Sequence, residues 1–328
     1  MSLNIRSICT VLSTTVCLLA CNTDDPIYNA PVIPERISFS ATRQYPEGIT
    51  YSTQLNTFLV SSITQGKIGA VDATGRYSDL IVDDELISSL GLKAQGDLLY
   101  VCNGDQGVSE KSTPITIRKT AGLFVYNLKS GQNVRRVNLA ALLPAAEHYA
   151  NDVALDEDGN AYVTDSFASV IYKVPADTTQ PSIFANSPLF AGGEGINLNG
   201  IVYHPDKFLI VVKSNQGKLF KVNLLNPADV LEIKGPALLN GDGMLLSNND
   251  LYVVNNRKQV SQVRSTDGWK TYAIVKTDSV GYSEATTNTL MNEKIYSLNA
   301  RIGEVSAAVA AKNPAQLRAN TYSIQQFR

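Results

Sequence analysis

A short apolar segment recurs along the chain, and polar, turn-rich segments separate its copies. Each copy combines aliphatic, β-branched and aromatic residues over about five positions, which is typical of a buried strand and too short for a helix. The copies begin at Phe58, Leu99, Ala161, Leu209, Leu251 and Ile295, so that successive copies start 41, 62, 48, 42 and 44 residues apart. No stretch after residue 20 shows sustained helical periodicity. The pattern therefore predicts an all-β protein.

The repeat predicts a six-bladed β-propeller with four-stranded antiparallel blades over residues 36–328. Units of about 40 to 50 residues with several strands each are typical of that fold. Residues 36–40 and 321–327 each form a lone strand pattern, and we expect both strands to join the last blade and close the ring. Residues 104–120 are polar and contain Gly and Pro, which predicts a loop inserted in the second blade.

The first residues have the pattern of an export signal. Arg6 precedes an uncharged apolar run over residues 8–20, and Leu-Leu-Ala-Cys follows at positions 18–21. We interpret residues 1–20 as a lipoprotein signal peptide, Cys21 as the lipidated residue and residues 21–35 as a polar tether. The alternatives are a plain signal peptide and a short membrane anchor, but the run is shorter than the ~20 residues that span a bilayer. We expect a bacterial cell-envelope protein, at the outer membrane or cell surface, whose only membrane contact is its lipid anchor.

Composition narrows the classes of partner and site. The net charge is −2 with no basic run, which argues against a nucleic-acid partner. The chain has two histidines, His148 and His204, too few for a histidine-rich metal site, and we expect His204 to face solvent from a turn. Cys102 is the only cysteine beyond Cys21, so no disulfide is expected within the fold. We expect a monomer.

Four oxygen-bearing side chains stand at matching positions before the repeated strand. Glu47, Asn151, Asn199 and Asp242 precede it by 11, 10, 10 and 9 residues. Since the innermost strands of a propeller line its axis, these side chains should converge there. Two carboxylates and two amides suit Ca²⁺, with Mg²⁺, Mn²⁺ or Zn²⁺ as alternatives. The competing interpretation is that each residue only forms a turn.

Four motifs, taken in their order along the chain, resemble the regucalcin/gluconolactonase family and, more loosely, paraoxonases and diisopropyl fluorophosphatase. They are Glu47-Gly48, the segment 151–166, Asn199-Gly200-Ile201 and Asp242-Gly243-Met244. The resemblance implies that Glu47, Asn199 and Asp242 bind a divalent metal, and that Asn151 lies beside it and contacts substrate or water. In such enzymes the metal polarises a lactone carbonyl and activates water. Asp242 is then the candidate general base, and Asp242 and Asn151 are the candidate catalytic residues.

The chain also departs from that family. Tyr149 stands where the lactonases have an arginine, so we predict substrate contacts from Tyr149, His148 and Asn151. The leading hypothesis is a metal-dependent hydrolase that acts on a small-molecule lactone or related ester. The alternative is a non-catalytic, lipid-anchored binding or scaffold propeller. A third hypothesis resembles the metal-free strictosidine synthases, with Glu284 as the acid that opens the last blade.

Overall fold

The computed structural model describes residues 33–178 and 180–328. The predicted signal peptide, Cys21 and residues 21–32 of the predicted tether lie outside this range. No helix within the described residues is long and apolar enough to cross a membrane.

Twenty-four strands and one α-helix are assigned in the described residues. After β1, the strands fall along the chain into five groups of four and a last group of three. β1 is Arg36–Ser40, and the next groups are β2 (Ile49–Ser52), β3 (Thr57–Val60), β4 (Lys67–Val71), β5 (Tyr77–Val82); β6 (Ser88–Gln95), β7 (Leu98–Gly104), β8 (Lys119–Asn127), β9 (Asn133–Asn138); β10 (His148–Leu155), β11 (Ala161–Asp165), β12 (Val170–Val174), β13 (Ser182–Asn186). The later strands are β14 (Leu198–His204), β15 (Phe208–Lys213), β16 (Lys218–Asn223), β17 (Val230–Ile233); β18 (Met244–Ser247), β19 (Asp250–Asn255), β20 (Gln259–Arg264), β21 (Ala273–Asp278); β22 (Ala285–Met291), β23 (Lys294–Asn299) and β24 (Thr321–Gln326), with helix α1 (Ile302–Ala311) between the last two.

The sheets are those of a β-propeller with four-stranded antiparallel blades. Four sheets have four strands each, in the orders β2-β3-β4-β5, β14-β15-β16-β17, β18-β19-β20-β21 and β1-β24-β23-β22. The fifth has eight strands and contains two antiparallel groups, β6 to β9 and β10 to β13. Only one short parallel pairing joins these groups, in which His148 and Tyr149 lie opposite Lys119 and Thr120.

The first and last described strands share one sheet, as the sequence predicts. β1 pairs antiparallel with β24, and β24 pairs with β23. The two neighbouring sheets are also joined at the axis, where the Thr286 and Thr287 hydroxyls donate to the Glu47 carbonyl at 2.7 and 3.0 Å. The ring is therefore closed by hydrogen bonds between segments about 240 residues apart.

The recurring apolar segments form the second strand of each group: β3, β7, β11, β15, β19 and β23. Their central residues are fully buried, as at Leu59, Val163 and Val253. Both faces of each such strand pack against a neighbouring sheet, which explains why the segments are apolar on consecutive positions and do not alternate.

The first strands of the groups approach one another so closely that glycine is required at the contact. A Cβ atom on Gly91 of β6 would lie 2.6 Å from the Asp152 Cα in β10, and one on Gly243 would lie 2.6 Å from the Thr287 Cα in β22. Gly48 and Gly200 have the same kind of contact with the next strand around the axis. Interiors at close-packed density have no space for such an atom.

Helix α1 was not predicted, while the loop after β7 was. The helix is rich in alanine, which favours helix formation, but at ten residues it is too short to give a sustained periodic signal. Val305 and Ala308 of α1 pack in the same apolar cluster as Tyr45. The loop over residues 105–118 is fixed to the preceding sheet by Lys111, whose Nζ donates to the carbonyls of Gly66, Asp83 and Leu86 at 3.1, 2.7 and 3.1 Å.

The close approach of the inner strands makes Gly91→Ala destabilising. We expect a loss of about 1–3 kcal/mol in the free energy of unfolding, because backbone atoms must move to admit the methyl group. Urea unfolding followed by circular dichroism measures this change. Gly122→Ala is the matched control, since its Cβ would lie no closer than 3.4 Å to any neighbour outside adjacent residues. Equal stability of the two variants would contradict the proposed packing constraint.

Candidate functional site

The four residues singled out by their offsets line one cavity. The cavity has a volume of about 320 Å³, and Glu47, Asn151, Asn199 and Asp242 all contribute to its wall. Asn151 and Asn199 lie in the inner strands β10 and β14, and Glu47 and Asp242 lie just before β2 and β18. Glu47, Asn151 and Asn199 are buried and Asp242 is half-buried. The inner strands thus bring together side chains that are up to 195 positions apart in the sequence.

Each of these side chains has a buried oxygen without a hydrogen-bond partner. The atoms are Glu47 Oε2, Asn151 Oδ1, Asn199 Oδ1 and Asp242 Oδ1. They make up half of the eight such atoms found in the described residues. Buried polar atoms are nearly always satisfied, so this concentration points to a group that the oxygens bind. Carboxylate and amide oxygens are the ligands that hard divalent cations prefer, so the residues fit such an ion.

Neighbouring hydroxyl groups fix the orientation of the cluster. The Asn151 amide nitrogen donates to Ser166 Oγ at 3.0 Å, which leaves Asn151 Oδ1 as the free atom. Ser166 Oγ in turn donates to the Leu198 carbonyl at 2.6 Å. Ser61 Oγ accepts the backbone N–H groups of Glu47 and Gly48 at 3.0 and 2.7 Å.

The pKa values of both carboxylates of the cluster are raised above their usual values. Burial raises the pKa of Glu47 well above its usual value, and the carboxylates of Asp242 and Asp152 raise it further. Burial is also the main cause of the raised pKa of Asp242, which Asp152 increases and which Asn199 and Arg257 partly oppose. A bound divalent cation would compensate this negative charge.

The sequence did not single out Asp152 as a third axial carboxylate. Its oxygens accept the backbone N–H groups of Val153 at 2.8 Å and Ile201 at 3.2 Å. It lines a second cavity of about 300 Å³, together with residues of β2, β6, β14, β18 and β22. Burial raises the pKa of Asp152 to about 6. Its oxygens are engaged with backbone donors, so Asp152 joins two inner strands and belongs to a different cavity from the four-residue cluster.

No group of three or more His, Cys, Asp or Glu side chains within residues 33–178 and 180–328 is arranged to hold a metal. The four-residue cluster differs from such a group because asparagine amides supply two of its four side chains. Its charge is therefore −2 when both carboxylates are ionised, which matches a divalent cation.

Only two of the three predicted substrate-binding residues lie in the cavity wall. Tyr149 and Asn151 line the cavity, and the Tyr149 ring stacks on Phe167 with centroids 5.6 Å apart. His148, the third residue predicted to contact substrate, does not line this cavity. Its Nδ1 lies 2.7 Å from Asp165 Oδ2, and its Nε2 lies 2.9 Å from the Leu143 carbonyl.

Two other predicted positions also differ from expectation. His204 was expected to face solvent, but it is buried and stacks on Phe208 at 4.2 Å between centroids, because the short turn after β14 folds it back onto β15. Glu284 is absent from the cavity wall, and its Oε2 accepts the Gly303 N–H at 2.7 Å at the start of α1. This position suits a carboxylate that stabilises a helix N-terminus.

Several cavity residues gave no signal in the sequence. They come from the inserted loop, from α1 and from turns between strands: Gln106, Glu194, Gly195, Ile196, Ser214, Asn215, Asn240, Arg257, Ile302, Val305 and Ser306. They lie outside the repeated pattern, so their convergence could not be read from spacing.

The His148 contacts predict a pH-dependent contribution to stability. Burial lowers the pKa of His148, but the hydrogen bond and charge of Asp165 outweigh this effect and raise it above its usual value. The charged ring thus stabilises the fold below pH ~6.5, and this contribution is lost as pH rises through the raised pKa. We expect His148→Gln to cost roughly 1.5–3 kcal/mol at pH 6 and less at pH 9, measured by urea unfolding.

His204→Gln is the control, because the contribution of His204 to stability should change with pH in the opposite direction. Burial lowers the pKa of His204, so its contribution is lost as pH falls below the ordinary histidine pKa. Parallel pH profiles for the two variants would contradict the assignment of a charged His148.

Comparison of this chain with known proteins identifies its fold. No protein-family model matches the chain, and no curated protein matches it. Among solved structures, the allergen Mala s 1 of Malassezia sympodialis is 18% identical, with a TM-score of 0.67 over 89% of this chain and 96% of that one. The calcium-binding protein regucalcin of Agrobacterium tumefaciens is 15% identical, with a TM-score of 0.59 over 88% and 94% of the two chains.

Two enzymes are also among the similar structures. A gluconolactonase of Xanthomonas campestris is 13% identical, with a TM-score of 0.59 over 88% of this chain and 87% of that one. A virginiamycin B lyase of Staphylococcus aureus is 12% identical, with a TM-score of 0.57 over 89% and 99% of the two chains. At these identities the likenesses show the fold, a β-propeller similar to those of regucalcin and gluconolactonase.

Proposed function

We propose that this protein is a divalent-metal-dependent hydrolase of lactones or related esters and that its metal is Ca²⁺. The observation that carries the proposal is the set of four buried, unpartnered oxygens on four inner segments of one cavity. The similar structures support it, since one is named a calcium-binding protein and another a gluconolactonase. Mg²⁺, Mn²⁺ and Zn²⁺ are the alternative ions.

In this proposal Glu47, Asn199 and Asp242 hold the ion and Asn151 lies beside it. When bound, the ion would supply Lewis-acid polarisation of a carbonyl oxygen and lower the pKa of water. The amide nitrogen of Asn151 is held by Ser166, so its Oδ1 is oriented to accept a hydrogen bond from water or from a substrate hydroxyl. Tyr149 forms one wall, and Ile302 and Val305 of α1 contribute apolar side chains to the lining.

The chain's own groups are sufficient for the proton transfers of hydrolysis. The Asp242 carboxylate accepts a proton from the attacking water as the water oxygen bonds to the carbonyl carbon. The ester C–O bond then breaks, and the same carboxyl returns the proton to the leaving oxygen. The product is a hydroxy acid, so one water is consumed for each bond broken.

The proposal also covers the assembly and location of the protein. We propose six blades, with the eight-stranded sheet counted as two, because one short parallel pairing is all that joins its halves. We further propose a monomer that is lipidated at Cys21 and anchored in the bacterial envelope, on the basis of the Leu-Leu-Ala-Cys sequence.

The first prediction is that Ca²⁺ stabilises the folded protein through Glu47 and Asp242. An ion at a hundred times its Kd adds about 2.7 kcal/mol to the free energy of unfolding. We expect Ca²⁺ to raise Tm in a thermal melt and EDTA to reverse the rise. Glu47→Gln and Asp242→Asn should abolish the response, because each removes one of the two charges that balance the ion.

Glu194→Gln is the matched control for these variants. Glu194 lines the same cavity but is exposed, so its removal should leave the Ca²⁺ response unchanged. Metal analysis of the purified protein should show one divalent ion per chain. A native protein that neither binds nor responds to Ca²⁺, Mg²⁺, Mn²⁺ or Zn²⁺ would contradict the metal assignment and favour the non-catalytic binding propeller.

The second prediction concerns the reaction itself. We expect the Ca²⁺-loaded protein to open δ-gluconolactone or simpler lactones, followed by acid release in a pH-stat. Asp242→Asn should lower kcat/KM by at least about 10²–10⁴, because it removes both the general base and a ligand of the ion. Glu194→Gln again serves as the control. In oxygen-18-labelled water the product should gain the label, whereas an unlabelled, dehydrated product would indicate elimination of the lyase type.

A further inference from the structure

Arg257 is the single cationic side chain among the described residues that line the cavity of the four-residue cluster. It belongs to the turn between β19 and β20 and is about one-third exposed. The cavity also contains Glu47, Asp242 and Glu194. In the proposed function the first two bind the ion, and Glu194 is an exposed residue of the rim. Arg257 is therefore the positive side chain that an entering ligand meets.

The backbone at Arg257 is in a conformation that favours glycine. The Lys258 N–H donates to the Asn255 carbonyl at 3.4 Å across a tight turn. The two central residues, Asn256 and Arg257, have φ values of 53° and 59°. Turns with positive φ at both central positions strongly prefer Asn-Gly, so the arginine stands where glycine is expected.

Two other hairpin turns in the described residues have the same pair of positive φ values. They are Asn248-Asn249 between β18 and β19, with φ 50° and 65°, and Asn292-Glu293 between β22 and β23, with φ 49° and 62°. A left-handed conformation is strained for any residue that has a Cβ atom. What distinguishes Arg257 from Asn249 and Glu293 is that its side chain lines the cavity of the four-residue cluster.

Most of the hydrogen-bonding capacity of Arg257 is unused within the described residues. Its Nη2 donates to Ser306 Oγ at 3.2 Å, the one side-chain hydrogen bond found for it. Its Nη1 forms an ion pair with Glu284 Oε2 at 3.8 Å, which is beyond hydrogen-bond range, and that oxygen already accepts the Gly303 N–H. A guanidinium has five N–H donors, so the remaining donors are available to a ligand.

We propose that Arg257 is a specificity-determining residue that binds a carboxylate of the substrate, and hence that the substrate is a lactone or ester bearing a carboxylate group. This inference rests on the proposed function. A single guanidinium matches the two oxygens of one carboxylate in a bidentate pair. A dianionic phosphate fits less well, because one arginine leaves its second charge unbalanced in a cavity that also contains Glu194.

The first test measures binding without turnover. The probes are tetrahydrofuran-2-carboxylate and its neutral carboxamide, which have nearly the same shape and contain no hydrolysable ring bond. We expect calorimetry on the Ca²⁺-loaded full-length protein to show preference for the carboxylate by about tenfold or more, the usual effect of a hydrogen bond to a charged group. Arg257→Met should abolish that preference, and Arg257→Lys should restore it in part.

Lys258→Met provides the matched control. It removes the same charge one residue away, from an exposed side chain outside the cavity wall, so the preference should persist. Arg257→Gly tests the strain argument, because it should lose the preference while its Tm equals or exceeds that of the wild type. A lowered Tm in Arg257→Gly would overturn the inference in favour of a structural role. Tighter binding of inorganic phosphate than of the carboxylate would also overturn it.

The second test separates this inference from the proposed function. The ratio of kcat/KM for 5-oxotetrahydrofuran-2-carboxylate to that for its carboxamide should fall toward one in Arg257→Met but not in Lys258→Met. Hydrolysis with no Arg257-dependent preference would overturn the inference and leave the hydrolase proposal standing. Arg257-dependent carboxylate binding without hydrolysis of any lactone would refute the hydrolase and retain the carboxylate subsite.

Discussion

The close approach of the inner strands around the axis is the constraint on which the other features depend. The strands touch at backbone level where Gly91 meets Asp152 and where Gly243 meets Thr287. The pairing of β1 with β24 and the bonds from Thr286 and Thr287 to Glu47 hold the ring closed at this spacing. Side chains at the ends of these strands consequently cannot move apart, whatever their charge.

This forced proximity determines the electrostatics of the site. Burial and the charge of Asp152 raise the pKa values of both Glu47 and Asp242, and the charge of Asp242 raises the pKa of Glu47 further. Asparagine at 151 and 199 contributes oxygen atoms without adding charge. In the proposed function the cluster thus offers oxygen ligands with a total charge that a divalent cation can balance.

The cavity walls come from irregular parts of the chain, and two strained residues connect them to the ring. Tyr45, with φ 40°, lies two residues before Glu47, and its hydroxyl donates to Glu304 of α1 at 2.6 Å. Arg257, with φ 59°, reaches Ser306 of the same helix. Propellers as different as an allergen and a gluconolactonase share this fold at 18% identity or less, so these walls, and not the blades, should distinguish their ligands.

The sequence alone determined the features that repeat. The strand pattern predicted the blades and the shared sheet of residues 36–40 and 321–327, and matching offsets predicted that Glu47, Asn151, Asn199 and Asp242 would meet, since equivalent positions in repeated units lie at equivalent places. Only the tertiary structure placed Arg257 and α1 at the cavity, turned His148 away toward Asp165, and buried His204 beneath Phe208. These positions depend on single turns and non-repeated contacts between distant segments, which leave no periodic signal in the sequence.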